Sequence, residues 1–207
     1  MSFKNRDSSK TTKQAVILID TSGSMNGIPI REIEKAVNLF SDYIGRIDGK
    51  KIRYCILGFN DRVQVIRGFK GSNDHNKICF SAYGGTNFEA GLREAKNKID
   101  EEQVKNERGC EKPALLIITD GYTENLSLKR GVVEAYSELF ELYFLCVGGT
   151  TNKAIDVFPN IKRIQDITAG SFQEILRYMI DAVETNSKTI TPRLAKSTKN
   201  GRKSVDF

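Results

Sequence analysis

The chain has 207 residues, of which 39% are hydrophobic and 28% charged, and it carries a formal net charge of +6. That length suits one domain with short ends, and no stretch reaches the roughly 20 apolar residues of a membrane helix. Residues 1–14 hold +3 and residues 188–207 hold +5, which leaves about −2 for residues 15–187 and argues against a basic, nucleic-acid-binding body.

In chain order, residues 1–12 are polar and read as a flexible lead, without the apolar stretch of a signal peptide, so a cytoplasmic location is expected. Residues 15–20 (AVILID) form a short apolar run, the pattern of a strand covered on both faces. After the loop TSGSMNGIP, apolar residues from Ile30 to Ile47 recur at helical spacing. Residues 52–60 and 62–69 predict two strands joined by a tight Asn60-Asp61 turn, an antiparallel hairpin at one edge. Residues 77–81 predict a short strand, and a charged helix is expected from Asn87 to Lys105. Residues 114–120 (ALLIITD) predict a buried strand, residues 128–140 a helix, residues 142–147 a strand and residues 161–167 a weaker one. Phe172, Ile175, Leu176, Met179 and Val183 mark a final helix. Strand–helix alternation of this kind implies right-handed crossovers and an α/β fold, a Rossmann-like three-layer sandwich with a mostly parallel sheet, one antiparallel edge strand and helices on both faces. The folded unit is expected over residues 13–187, with residues 188–207 a basic, solvated tail.

The cysteines are Cys55, Cys79, Cys110 and Cys146, with no C-x-x-C pair and no zinc-module spacing. Cys55 and Cys146 lie inside apolar runs and read as small core residues in a reducing compartment.

Ligands of such sheets bind beyond the carboxyl ends of the strands. Three polar clusters fall there: Asp20-Thr21-Ser22-Gly23-Ser24, Gly84-Gly85-Thr86, and Thr119-Asp120-Gly121. Their oxygens suit a hard cation. Mg²⁺ is the expected ion, with Mn²⁺ and Ca²⁺ as alternatives that also accept oxygen ligands. Ser22, Ser24 and Thr86 offer neutral hydroxyls, and Asp20 and Asp120 offer charge directly or through water. Glycines 23, 85 and 121 are expected to let the loops turn sharply. So few charged ligands leave the ion wanting another carboxylate, which a partner protein's Asp or Glu could supply. Each cluster has an ordinary alternative. Asp20 or Ser22 could cap the next helix, Thr86 could cap the helix at Asn87 with Glu89 in a capping box, and Asp120-Gly121 could be a simple turn. Their joint occurrence, in order at strand ends, favours one shared site.

These motifs together resemble the von Willebrand factor type A domain, over roughly residues 13 to 185. D-T-S-G-S after an apolar strand, G-G-T-N before a helix and T-D-G after another strand are similar to the three loops of its metal-ion-dependent adhesion site. The resemblance implies that Ser22, Ser24 and Thr86 are hydroxyl ligands and that Asp20 and Asp120 are the acids. It implies a Rossmann-like fold and metal-mediated protein binding without catalysis. The chain is similar to compact, cytoplasmic bacterial or phage members associated with tellurite resistance. Some of those occur beside a protein kinase and a phosphatase, which implies such a partner, a stress-response or signalling setting, and a modifiable tail at Thr189, Thr191, Ser197, Thr198 and Ser204. An unstructured solubilising tail is the plainer reading of the same residues.

Two other functions compete with this one. A Mg²⁺-dependent phosphotransferase or phosphatase of the haloacid-dehalogenase type needs a second acid two residues after Asp20, where this chain has Ser22. No P-loop, dinucleotide fingerprint or nucleophile elbow occurs, and the lone His75 lies in a polar loop. A nucleic-acid-associated role would act through the basic tail and weaken steeply with salt. Met25, Asn26, Tyr83, Asn87, Tyr122 and Glu124 flank the clusters; the exposed ones among them are expected to set specificity, and each reads equally well as a buried or neutral loop residue.

Overall fold

The apolar run after residue 14 forms most of β1 (Lys13–Asp20), all eight residues of which are buried. The computed structural model describes residues 13–46, 52–70, 76–105, 112–121, 130–148 and 160–184. Among them lie five further strands, β2 (Ile52–Phe59), β3 (Val63–Lys70), β4 (Ala114–Thr119), β5 (Glu141–Val147) and β6 (Ile161–Ile164). Four α-helices accompany them: α1 (Ile28–Arg46), α2 (Phe88–Lys105), α3 (Arg130–Leu139) and α4 (Phe172–Glu184). The sheet runs β3-β2-β1-β4-β5-β6 and is parallel except for the β2–β3 hairpin at one edge.

Alternation along β1 divides the core. Ala15, Ile17 and Ile19 face α1 and α4, where Ile33, Val37, Phe40, Ile175, Met179 and Val183 pack on them. Val16 and Leu18 face the other way, against Phe88, Leu92, Ala95 and Ile99 of α2 and Val133 of α3. Helices thus cover both faces of the sheet. Phe40 is fully buried and meets Tyr54 edge-on, with ring centroids 5.3 Å apart. Cys55 and Cys146 are buried thiols, as their apolar settings suggest. Glu32 on α1 accepts the N–H groups of Gly170 (2.9 Å) and Phe172 (3.1 Å), so a buried carboxylate ties α1 to the start of α4.

One expected element is absent. Residues 77–81 form no strand, because their backbone bonds to side chains of α1 and not to another strand. Asn38 exchanges two bonds with Ile78, at 2.9 and 2.8 Å, and Glu34 accepts the N–H of Phe80 at 3.0 Å. The sixth strand also stops at Ile164, short of residue 167. Among the described residues no helix is long and apolar enough to cross a membrane. Expectations on residues 1–12, 128–129 and 188–207, and on His75, Cys110, Tyr122 and Glu124, lie outside the described residues.

Candidate metal centre

The strand order reverses direction at β1 and β4, the switch point where such sheets leave a crevice beyond their carboxyl ends. β1 ends there in Asp20, fully buried. Ile19 is in register with Ile118, so the next residues, Asp20 and Thr119, meet across the strands. The Thr119 hydroxyl donates to Asp20 Oδ2 at 2.6 Å, and the Ser22 N–H donates to Asp20 Oδ1 at 2.8 Å. Burial pushes the Asp20 carboxyl above its ordinary 3.8; hydrogen bonds from Ser22 and Thr119 pull it part of the way back, and the Asp120 charge adds to the rise. Two acids at a buried edge, one of them reluctant to ionise, form a setting that a cation would relieve.

The chain then makes a single 3-10 turn, Gly23–Met25. Ser22 precedes it, but its side chain makes no capping bond. The Ser22 and Ser24 hydroxyl oxygens instead stand 3.1 Å apart, Ser22 buried and Ser24 exposed. Met25, for which both exposure and burial were open, is fully buried in the α1-side core, because the turn aims it inward and so anchors the loop. Asn26 is exposed.

The second loop is tied to the first by backbone. Gly23 N–H donates to Gly84 O at 2.9 Å, and Tyr83 N–H donates to Thr21 O at 2.9 Å. Gly84 adopts φ +75°, so the left-handed residue of this loop is Gly84 and not Gly85. Helix α2 is capped by Asn87, whose Oδ1 accepts the Ala90 N–H at 3.1 Å. Thr86 is therefore released from capping, and Glu89 pairs with Arg93 at 2.9 Å instead of closing a box. Asn87 is exposed, and Tyr83 is 62% exposed.

Asp120 follows β4 and is 8% exposed. Gly121, at φ +76°, donates its N–H to the Thr119 hydroxyl at 3.0 Å. The Cys146 thiol on β5 donates to Asp120 O at 3.7 Å. A single Thr119 oxygen thus serves both the first and third loops, and a core cysteine steadies the third. The T-D-G motif contained the signal for Thr119; nothing in the sequence links residue 146 to residue 120.

Asp20, Ser22 and Ser24 share one loop. The Asp20–Thr119 bond draws in the loop of Asp120, and the Gly23–Gly84 bond draws in the loop of Thr86. Three of the five candidate donors are neutral hydroxyls and two are carboxyl groups, so the donor set is all oxygen and mostly neutral. That set fits a small hard cation. Adjacent ligands at about 2.1 Å from an octahedral Mg²⁺ stand about 3.0 Å apart, and Ser22 and Ser24 are already at 3.1 Å.

An open, mostly parallel sheet with helices on both faces and polar loops at the β1/β4 switch defines a Rossmann-like α/β domain. The profile of the von Willebrand factor type A domain matches residues 15–123, and the chain belongs to that family. Solved structures agree on the fold. The von Willebrand factor type A protein of Catenulispora acidiphila is 17% identical at a TM-score of 0.64, with 82% of this chain and 42% of that one covered. The vWF domain of the type V pili tip protein Mfa5 from Porphyromonas gingivalis is 9% identical at 0.64, covering 87% and 99%. Proximal thread matrix protein 1 of the mussel byssus, with a zinc-occupied MIDAS motif, is 14% identical at 0.59, covering 82% and 46%. The chain spans under half of the first structures it matches, 42%, 48% and 46% of their lengths. No curated protein matches it significantly in sequence.

Proposed function

We propose that this chain is a metal-dependent protein-interaction module. Ser22, Ser24 and Thr86 hold one divalent cation, Mg²⁺ in preference to Mn²⁺ or Ca²⁺, and Asp20 and Asp120 bind it directly or through water. When bound, the ion supplies an electron-poor centre with an exchangeable position. An Asp or Glu of a partner protein fills that position, and the module binds without turnover. The observation that carries this reading is the joining of three loops at the β1/β4 switch around the buried Asp20, whose carboxyl is raised by burial. Family membership and the zinc-occupied motif of the mussel relative support it.

The finer form of the reading places the unit over residues 13–187 in a bacterial cytoplasm, with a kinase or phosphatase as partner in stress signalling. The buried thiols of Cys55 and Cys146 support a reducing compartment. The setting and the partner rest on family resemblance.

Calorimetric titration of Mg²⁺ into the wild-type and Asp120→Ala chains tests the cation site. Binding by the first and loss in the second, with circular dichroism unchanged, are expected; equal binding by both removes the site. A partner held in Mg²⁺ and released by EDTA, from the full chain and from one trimmed of residues 188–207 alike, supports the interaction role. Loss on trimming and indifference to EDTA would favour the nucleic-acid reading instead.

A further inference from the structure

The second loop is held from outside the site by the turn of the β2–β3 hairpin. Asp61, in that turn, accepts the Gly85 N–H on Oδ1 at 3.0 Å. One residue earlier in the turn, Asn60 O accepts the Asn87 N–H at 2.7 Å. Asn60 is itself locked, exchanging bonds with Arg62 through its N–H (2.9 Å) and its Oδ1 (3.0 Å). The residues on both sides of Thr86 are therefore bonded to one rigid turn, and Gly84 on its far side is bonded to Gly23.

The glycines of this loop make room for the Asp61 carboxylate. A Cβ at Gly84 would lie 2.3 Å from Asp61 Oδ2, and one at Gly85 would lie 2.6 Å from Asp61 Oδ1. A side chain at either position would displace that carboxylate from the loop backbone. The Gly84-Gly85 pair is thus explained by Asp61 as well as by the left-handed backbone at Gly84.

From this geometry we infer that Asp61 is a positioning residue of the cation site, acting through Thr86. It touches no candidate ligand. It fixes the backbone on which the Thr86 hydroxyl is presented. Mg²⁺ demands near-ideal octahedral geometry, so a loosened Thr86 weakens the whole site. Groups that orient metal ligands typically change affinity by about 10–100-fold when removed. The inference rests on the cation-site reading above.

The test is a double-mutant cycle read by Mg²⁺ calorimetry on the full chain: wild type, Asp61→Ala, Thr86→Val and both together. Asp61→Ala and Thr86→Val are each expected to weaken Mg²⁺ binding by roughly 10–100-fold. The double variant is expected to match Thr86→Val within about threefold, because Asp61 has no other route to the ion. Asp61→Asn keeps the acceptor for Gly85 and removes the charge, so it is expected to stay within about threefold of wild type. Amide exchange at Gly85 in EDTA, which needs no metal, is expected to accelerate in Asp61→Ala and in the double variant, and in neither Thr86→Val nor Asp61→Asn.

Wild-type affinity in Asp61→Ala overturns the inference and leaves the cation site standing. Losses that multiply in the double variant overturn it too, since Asp61 would then act elsewhere. So does a loss in Asp61→Asn, which would make the charge itself the cause; if Asp61→Ala does not fold, Asp61→Leu, which also lacks the acceptor for Gly85, takes its place in the cycle. A wild-type chain without Mg²⁺ binding, or a Thr86→Val chain that binds normally, refutes the site reading and this inference together.

Discussion

Replacing Thr119 by Val removes one oxygen and almost no volume, at the end of a strand where a β-branched residue is comfortable. That oxygen has two duties. It donates to the buried Asp20 carboxylate at 2.6 Å and accepts the Gly121 N–H at 3.0 Å. Both partners lie inside the protein, so neither gains water when the hydroxyl goes. A bond to a charged group contributes about 1.5–3 kcal/mol and a neutral one about 0.5–1.5 kcal/mol, giving a loss of roughly 2–4.5 kcal/mol. For a chain of this size that lowers Tm by roughly 4–18 °C. The Asp20 carboxyl also loses one of the bonds that hold its pKa down and rises further. Urea unfolding in EDTA measures the stability, and Mg²⁺ calorimetry measures the site, where a loss of about 10–100-fold is expected. A Thr119→Val chain within about 1 kcal/mol of wild type, with unchanged Mg²⁺ affinity, would refute the view that this hydroxyl joins the first and third loops.

Mg²⁺ at about 100 times its Kd should stabilise the wild type by about 2.7 kcal/mol. That raises Tm by roughly 5–11 °C; Asp120→Ala should melt at the same temperature in Mg²⁺ and in EDTA, and a retained shift would count against its role. In EDTA the raised Asp20 carboxyl means that the folded chain holds a proton that the unfolded chain releases near 3.8. The stability this group contributes is therefore present below 3.8 and is lost as pH rises through the folded value, and Asp20→Asn should remove that slope from EDTA melting curves; an unchanged slope would rule it out. Burial pushes the Cys55 thiol up to about 12, so iodoacetamide at pH 8 should leave Cys55 untouched in the native chain while the exposed Cys79 reacts, as peptide mass mapping would show.

Much of the fold was legible because its signals are local. The apolar run before Asp20, the helical stripe from Ile30 to Ile44 and the Asn60-Asp61 turn each need only neighbouring residues to be read. The three loops were legible for the same reason: each motif is a short string, two of them directly after strands and Gly84-Gly85-Thr86 directly before a helix. What the sequence misplaced or left open has a common cause. Residues 77–81 look like a strand, but whether extended backbone pairs with a strand or with Asn38 and Glu34 depends on what packs beside it. Met25 sits in a polar loop, yet a 3-10 turn points it into the core.

Sequence alone therefore determined the class of fold, the polar loops that bear the candidate ligands and the chemistry those ligands suit. The chain's folding decided how the loops are held. Asp61 meets Gly85 across 24 residues, Cys146 meets Asp120 across 26, and Thr119 meets Asp20 across 99. No periodicity or motif spans such separations. A parallel sheet brings strands together by crossovers, so the neighbours that position a residue at its carboxyl edge are set by strand order and register, which exist only once the chain has folded.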